Sequence, residues 1–245
     1  MAAKRHLKNA PIREALIDFR VRAEAEPSVL EECTKAFAAE YPKRLELHRG
    51  QFGFSFNEGN VTPLPANRAL WGYRVDSADG RQVAQFRVDG FTFSRLPKYE
   101  TFDRMREEAR QLWERYSACL RPEAITRVAV RYINVMELPA GGFPLTEFLT
   151  APPALPAALP QALTSFLKRV VFQDPETTAS VILTQAFEGA AGDGRYPVTL
   201  DIDAFKDREF EVNDVGVWDY LEELRNLKND VFFESITERT VELYA

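Results

Sequence analysis

Residues 127–137, RVAVRYINVME, alternate in an unusual way. Val128, Val130, Tyr132, Asn134 and Met136 fall on one side, and Ala129, Arg131, Ile133 and Val135 on the other. The β-branched and aromatic content predicts a strand. Neither side is wholly polar, so the strand is expected to be covered on both. A buried guanidinium without a partner is very costly, and a buried amide must have its hydrogen bonds met. Arg131 and Asn134 therefore mark polar groups set into the interior, each needing a partner in the fold or in a ligand.

The same alternation predicts a strand over 12–22, with Ala15, Ile17, Phe19 and Val21 set against Glu14, Leu16, Asp18 and Arg20. Pro27 opens a helix to residue 41, whose stripe is Leu30, Cys33, Phe37 and Tyr41. Pro42 ends it. Phe52, Phe54 and Phe56 alternate in a strand over 51–57. ALWGYRV, RQVAQFRV and FTFSRL then read as a meander. Its tightest turn is assigned to Asp89 and Gly90, which puts Val88 opposite Phe91, Phe86 opposite Phe93, Arg87 opposite Thr92 and Gln85 opposite Ser94.

A helix follows over 101–120. Phe102, Met105, Ala109, Leu112, Trp113, Tyr116 and Leu120 form its apolar stripe, Thr101 its N-cap, and Asp103 suits its positive end. Residues 139–160 hold six of the fifteen prolines and read as a long connector with one helical turn at 145–149. LKRVVFQ, ASVILTQAFE and YPVTLDIDAF read as strands, with turns at Asp174 and Pro175 and over 189–194. A closing helix over 217–235 would pack Trp218, Leu221, Leu224, Val231 and Phe232 and leave Glu222, Glu223, Arg225 and Lys228 in water. Thr237 would cap a final short turn, and residues 1–9 read as a frayed end. These elements predict an α+β fold: antiparallel sheets with packed long helices, in two roughly similar halves, a helix-grip-like arrangement being one form of it. The halves divide as 1–138 and 167–245 around a connector at 139–166, or run together as one continuous domain.

Four short motifs stand in a fixed order: Pro11, Ile12, Glu14 and Ala15; Arg131, Tyr132 and Asn134; Leu200, Asp201, Ile202 and Asp203; and Ile236 with Thr237. In this order and spacing they resemble a sporadically distributed bacterial family of similar length and unassigned activity. The resemblance runs over nearly the whole chain. The family's closing helix often begins with a Leu-His pair; here Tyr220, Leu221, Asn226 and Leu227 offer no imidazole. The resemblance implies a fold and no reaction. Members sit near mobile or defence-type genes, which implies an antitoxin-like or defence-associated role through a partner.

Charge and composition narrow the chemistry. The net charge is −6 and the pI about 5.2, which argues against nucleic acid as the main ligand. Lys4, Arg5, Lys8 and Arg13 form the basic cluster nearest to such a site and read as a solvated tail. Cys33 and Cys119 stand apart, without a CxxC, as small core residues of a chain in a reducing cytoplasm. No secretory signal and no run of eighteen apolar residues occurs, so no membrane partner is expected. His6 and His48 are the two histidines and lie in polar segments. No phosphate loop, dinucleotide fingerprint or zinc-protease motif is present, and GAAGDG at 189–194 lacks the lysine of a phosphate loop.

The ligand-binding candidates are Glu14, Arg131, Asn134, Asp201 and Asp203. Arg131 could hold an anion in an interior pocket beside Glu14, or pair with one of the carboxylates and fix sheet register. Asn134 points to the other face. No catalytic or metal-ligating set and no cofactor is expected. The leading expectation is a non-enzymatic bacterial binding protein acting through a protein partner. The alternative is a small-ligand or nucleotide-binding enzyme or sensor with Arg131 in an interior cavity. Homo-oligomerisation is compatible with both.

Overall fold

The computed structural model describes residues 1–51, 54–57, 60–63, 67–139, 144–189 and 195–245, side chains between 51 and 67 excepted. The elements are β1 (Ile12–Arg22), α1 (Ser28–Lys35), β2 (Lys43–Gln51), β3 (Phe54–Asn57), β4 (Asn60–Pro63), β5 (Asn67–Asp76), β6 (Gln82–Arg87), β7 (Gly90–Arg95), α2 (Phe102–Leu120), β8 (Ala124–Leu138), β9 (Phe166–Gln173), β10 (Ser180–Phe187), β11 (Tyr196–Phe210), α3 (Gly216–Ser235) and α4 (Glu238–Glu242). A single 3₁₀ turn, Leu145–Glu147, lies in the proline-rich connector.

Among the described residues, one antiparallel sheet has the order β2-β5-β6-β7-β1-β8-β11-β10-β9, and β3 and β4 form a separate hairpin. The long strands β1, β8 and β11 lie side by side at its centre. The helices share one face. Phe19 of β1 meets the rings of Trp113 from α2 and Trp218 from α3, at centroid distances of 4.7 and 5.4 Å. Phe37, beyond α1, meets Phe86 of β6 at 5.3 Å. Ala15, Ile17 and Phe19 are fully buried there, as are Phe86, Phe91, Phe93, Val128 and Val130. The expected α+β class is what forms.

The strongest periodicities translate directly. The seven stripe residues of α2 are its seven buried ones, and Thr101 caps it by accepting the Arg104 N–H. Leu30, Cys33, Phe37 and Tyr41 are all buried, although regular helix ends at Lys35 and continues only as turns. Thr237 caps α4 as expected.

Other expectations need correction. The central strand β8 is packed by helices on one side only; Arg131, Ile133 and Val135 are partly exposed on the other. Position 127 opens a strand that starts three residues earlier. The β6–β7 turn is Val88 and Asp89, so Phe86 faces Phe91 and Gln85 faces Thr92. The shift is two residues, which keeps every side chain on its expected face. Gly90 is needed inside β7, where an added Cβ would lie 2.5 Å from the Phe19 carbonyl oxygen. Its role is close approach of β1, not a positive φ.

Residues 1–9 are clasped. Ala2 and Leu7 are buried, Ala2 N–H donates to Phe233, and Asn9 N–H donates to Tyr244. Cys33 and Cys119 are not separate core residues but a disulfide linking α1 to α2, with Cα atoms 6.1 Å apart. Strand β2 escaped the hydrophobic pattern because it is a charged edge. The phenylalanine face over 51–57 and the loop at 190–194 lie outside the described side chains and residues.

Candidate functional site

Alternation along the three central strands sends their other side chains to the face without helices. Glu14, Leu16, Asp18 and Arg20 come from β1, Arg127, Ala129, Arg131, Ile133 and Val135 from β8, and Thr199, Asp201, Asp203 and Phe205 from β11. Register puts Asp203 opposite Arg131 and Asp18 opposite Ala129. These positions assemble a lattice of ion pairs across the sheet.

Arg131 makes a bidentate pair with Asp201, Nε to Oδ1 at 2.8 Å and Nη2 to Oδ2 at 2.5 Å. This is the fork geometry that suits guanidinium and carboxylate. The Asp201 hydrogen bond is the main reason the Arg131 pKa rises still further, against the opposing effect of burial. The Arg131 side chain is 41% exposed. It therefore lies on an open surface and not in an interior pocket, and its partner is Asp201. Glu14 contributes only a weaker electrostatic attraction.

A second arginine is more deeply set. Arg127 is 8% exposed and reaches Asp18 Oδ1 at 3.1 Å and Asp203 Oδ2 at 2.8 Å. Its guanidinium also lies 4.3 Å from the Phe205 ring centroid. Asp18 is shared in turn with Arg87, whose Nη2 is 3.0 Å from Oδ2. Thr92 Oγ1 donates to that same oxygen at 2.6 Å. One carboxylate thus ties β1, β7, β6 and β8 together. Two atoms of the lattice, Asp203 Oδ1 and Arg87 Nε, are buried and have no hydrogen-bond partner among the described residues. Burial pushes the Asp203 carboxyl up, and Arg127 and Arg131 offset this only in part.

Asn134 stands on the helix face, 2% exposed, and donates to the Leu200 carbonyl at 3.0 Å. It belongs to a separate interior group. Tyr132 and Tyr99 share a hydroxyl–hydroxyl bond of 2.7 Å. The ammonium of Lys228 sits 3.6 Å above the Tyr132 ring. Burial, with Arg225 nearby, lowers the Lys228 pKa to about 7. Lys228 is not in water as expected. Leu221, Leu224, Lys228 and Val231 follow helical steps of three, four and three, and that spacing was the signal for its burial.

Of the five candidates, the fold brings Glu14, Arg131, Asp201 and Asp203 to one face and puts Asn134 on the other. Asp18, Arg87 and Arg127 complete the lattice. Among the described residues no His, Cys, Asp and Glu cluster could hold a metal, and no helix is long and apolar enough to cross a membrane. Two surface clefts, of about 400 and 260 Å³, lie beside α2 and touch none of the lattice. No protein-family model matches the chain, and no curated protein does.

Proposed function

We propose that this is a non-enzymatic binding protein that receives a protein partner on the helix-free face of its central sheet. The observation that carries this reading is the composition of that face. Leu16, Ile133, Val135, Ile182 and Phe205 are partly exposed, and Arg87, Arg127 and Arg131 among them are paired with Asp18, Asp201 and Asp203. Apolar area interrupted by polar groups most of which are paired suits a partner that covers the face. The chain path supports an internal duplication. Each half has a central strand, β1 or β8, then a connection to an outer edge, then a meander returning to the centre and a closing helix. The defence-associated, antitoxin-like role implied by the family resemblance belongs to this proposal.

The test is capture from a native-host lysate by the full chain and two variants, with mass spectrometry. Leu16→Asp with Ile133→Asp loses a partner that the wild type and a variant of the exposed α2 surface, Arg110→Glu, both retain. Retention by the double variant, at unchanged Tm, would sink the reading. A small-ligand reading has one observation of its own, the unpartnered Asp203 Oδ1 beside Arg127 and Arg131. A co-purifying small molecule lost on Asp203→Asn would favour it.

A further inference from the structure

The two edges of the sheet are treated differently. A strand with a free hydrogen-bonding edge is a template for another strand, and stable monomers guard such edges with charge or irregularity. The β2 edge is guarded. It carries Lys43, Arg44, Glu46 and Arg49, and its pairing with β5 shifts register between Leu47 and His48. The β9 edge, FLKRVVFQ, has no proline, no glycine and no register shift against β10. Leu167 and Val171 are 74% and 54% exposed on the helix-free side, and Val170 and Phe172 are 39% and 38% exposed on the helix side.

The backbone of β9 is equally open. Asp174 N–H donates to the Ala179 carbonyl at 2.8 Å. Alternation from that bond directs even-numbered residues of β9 toward β10 and turns the N–H and C=O groups of Leu167, Arg169, Val171 and Gln173 outward. Among the described residues, none of these four makes a backbone hydrogen bond to a segment beyond the sheet.

We propose that β9 pairs antiparallel with β9 of a second copy about a two-fold axis through Val171, continuing the sheet from one protomer into the other. The strand is complementary to itself in that register. Val170 of each copy faces Phe172 of the other on the helix side, and Val171 faces itself on the helix-free side. Lys168 stands opposite Asp174 of the second copy, and Arg169 opposite Gln173. A register centred on Arg169 would set two guanidinia against each other. Pairing β9 with β2 would bring the basic pair Lys168 and Arg169 to a mostly basic, bulged edge, and would propagate without closing. The self-pair closes and leaves each dimer with two guarded β2 edges.

The test is the solution mass of the full chain by light scattering. The wild type is expected at twice the 27.9 kDa of one chain. Val171→Pro removes only an outward N–H, so it costs the protomer's own ladder nothing, and it is expected to halve the mass. Leu45→Lys on β2 leaves the mass at the dimer value. Val171→Cys on the axis gives a covalent dimer with a short bis-maleimide, whereas the wild type, its own cysteines paired, does not. A monomeric wild type, or a dimer that survives Val171→Pro and gives no cross-link at Val171→Cys, would overturn the proposal.

Discussion

Arg131 stood out in the sequence because it interrupts an apolar run. Arg127, at the edge of the same run, carries more of the structure. The difference is burial. Arg131 is 41% exposed and paired to a single carboxylate, whereas Arg127 is 8% exposed and spans two. An accessible pair typically contributes about 1 kcal/mol or less. Removing the shared cation from a buried set strands charges and costs about 3 kcal/mol. Urea unfolding should therefore show Arg131→Met within about 1 kcal/mol of wild type and Arg127→Met well below it. Equal losses would mean that the two pairs are equivalent. Lys228 is the residue whose burial was visible only in helical spacing. Its folded pKa, about 7, lies below the 10.5 of an unfolded lysine. Between those values the unfolded chain binds the extra proton, so stability rises with pH, by about 1 kcal/mol per unit within the window. The Tyr132 ring favours the ammonium, but burial and Arg225 outweigh it. Calorimetry from pH 7 to 9 should show this rise in wild type and a flatter profile in Lys228→Met. A wild-type profile as flat as the variant's would show Lys228 charged throughout.

At the scale of elements, what could be read from sequence depended on how many side chains an element buries. In α2 seven residues on one stripe and a capping threonine agree, and its bounds followed directly. Strand β2 buries little, and its alternation is masked by charge; sheet position, not local pattern, makes it a strand. The β6–β7 turn failed for a related reason. A glycine after an aspartate suits a primed turn, but this one is used to let β1 approach, a demand made by a strand seventy residues away in sequence. The cysteines show the same limit. Cys33 falls on a helix stripe and Cys119 within the helix over 101–120, and only the docking of α1 on α2 brings them together, across 86 positions of sequence. A disulfide typically stabilises by about 2–4 kcal/mol, and a loop this long sets the expectation at the upper end of that range. Thiol titration of the denatured, unreduced protein should find neither cysteine free. Cys33→Ser with Cys119→Ser should lower stability by that amount, and reductant should lower wild type equally while leaving the variant unchanged. Two free thiols before reduction would exclude the bond.

For the whole molecule, the sheet is the integrating element, and the chain ends are fastened to it from the helix side. Asn9 N–H donates to Tyr244, the Tyr244 hydroxyl accepts from Glu137 N–H at 2.9 Å, and Val135 N–H donates to Pro11. The start of β1, the end of β8 and the last turn of the chain thus meet at one corner. From sequence, residues 1–9 read as loose because most are polar. Two of their basic side chains are in fact matched: Lys4 pairs with Asp230 and Arg5 with Glu238. The anchor is Leu7, 8% exposed in the core. Its truncation removes buried methyl groups and leaves a space the polar segment cannot fill, so Leu7→Ala is expected to cost about 2 kcal/mol. The clasp also fixes the backbone that carries three exposed tryptic sites, Lys4, Arg5 and Lys8. Cleavage there should be slow in wild type and become fast in Leu7→Ala at temperatures where the rest of the chain resists. A frayed end would instead be cut quickly in both proteins, with no change in unfolding midpoint. That outcome would detach residues 1–9 from the fold and return their basic side chains to solvent.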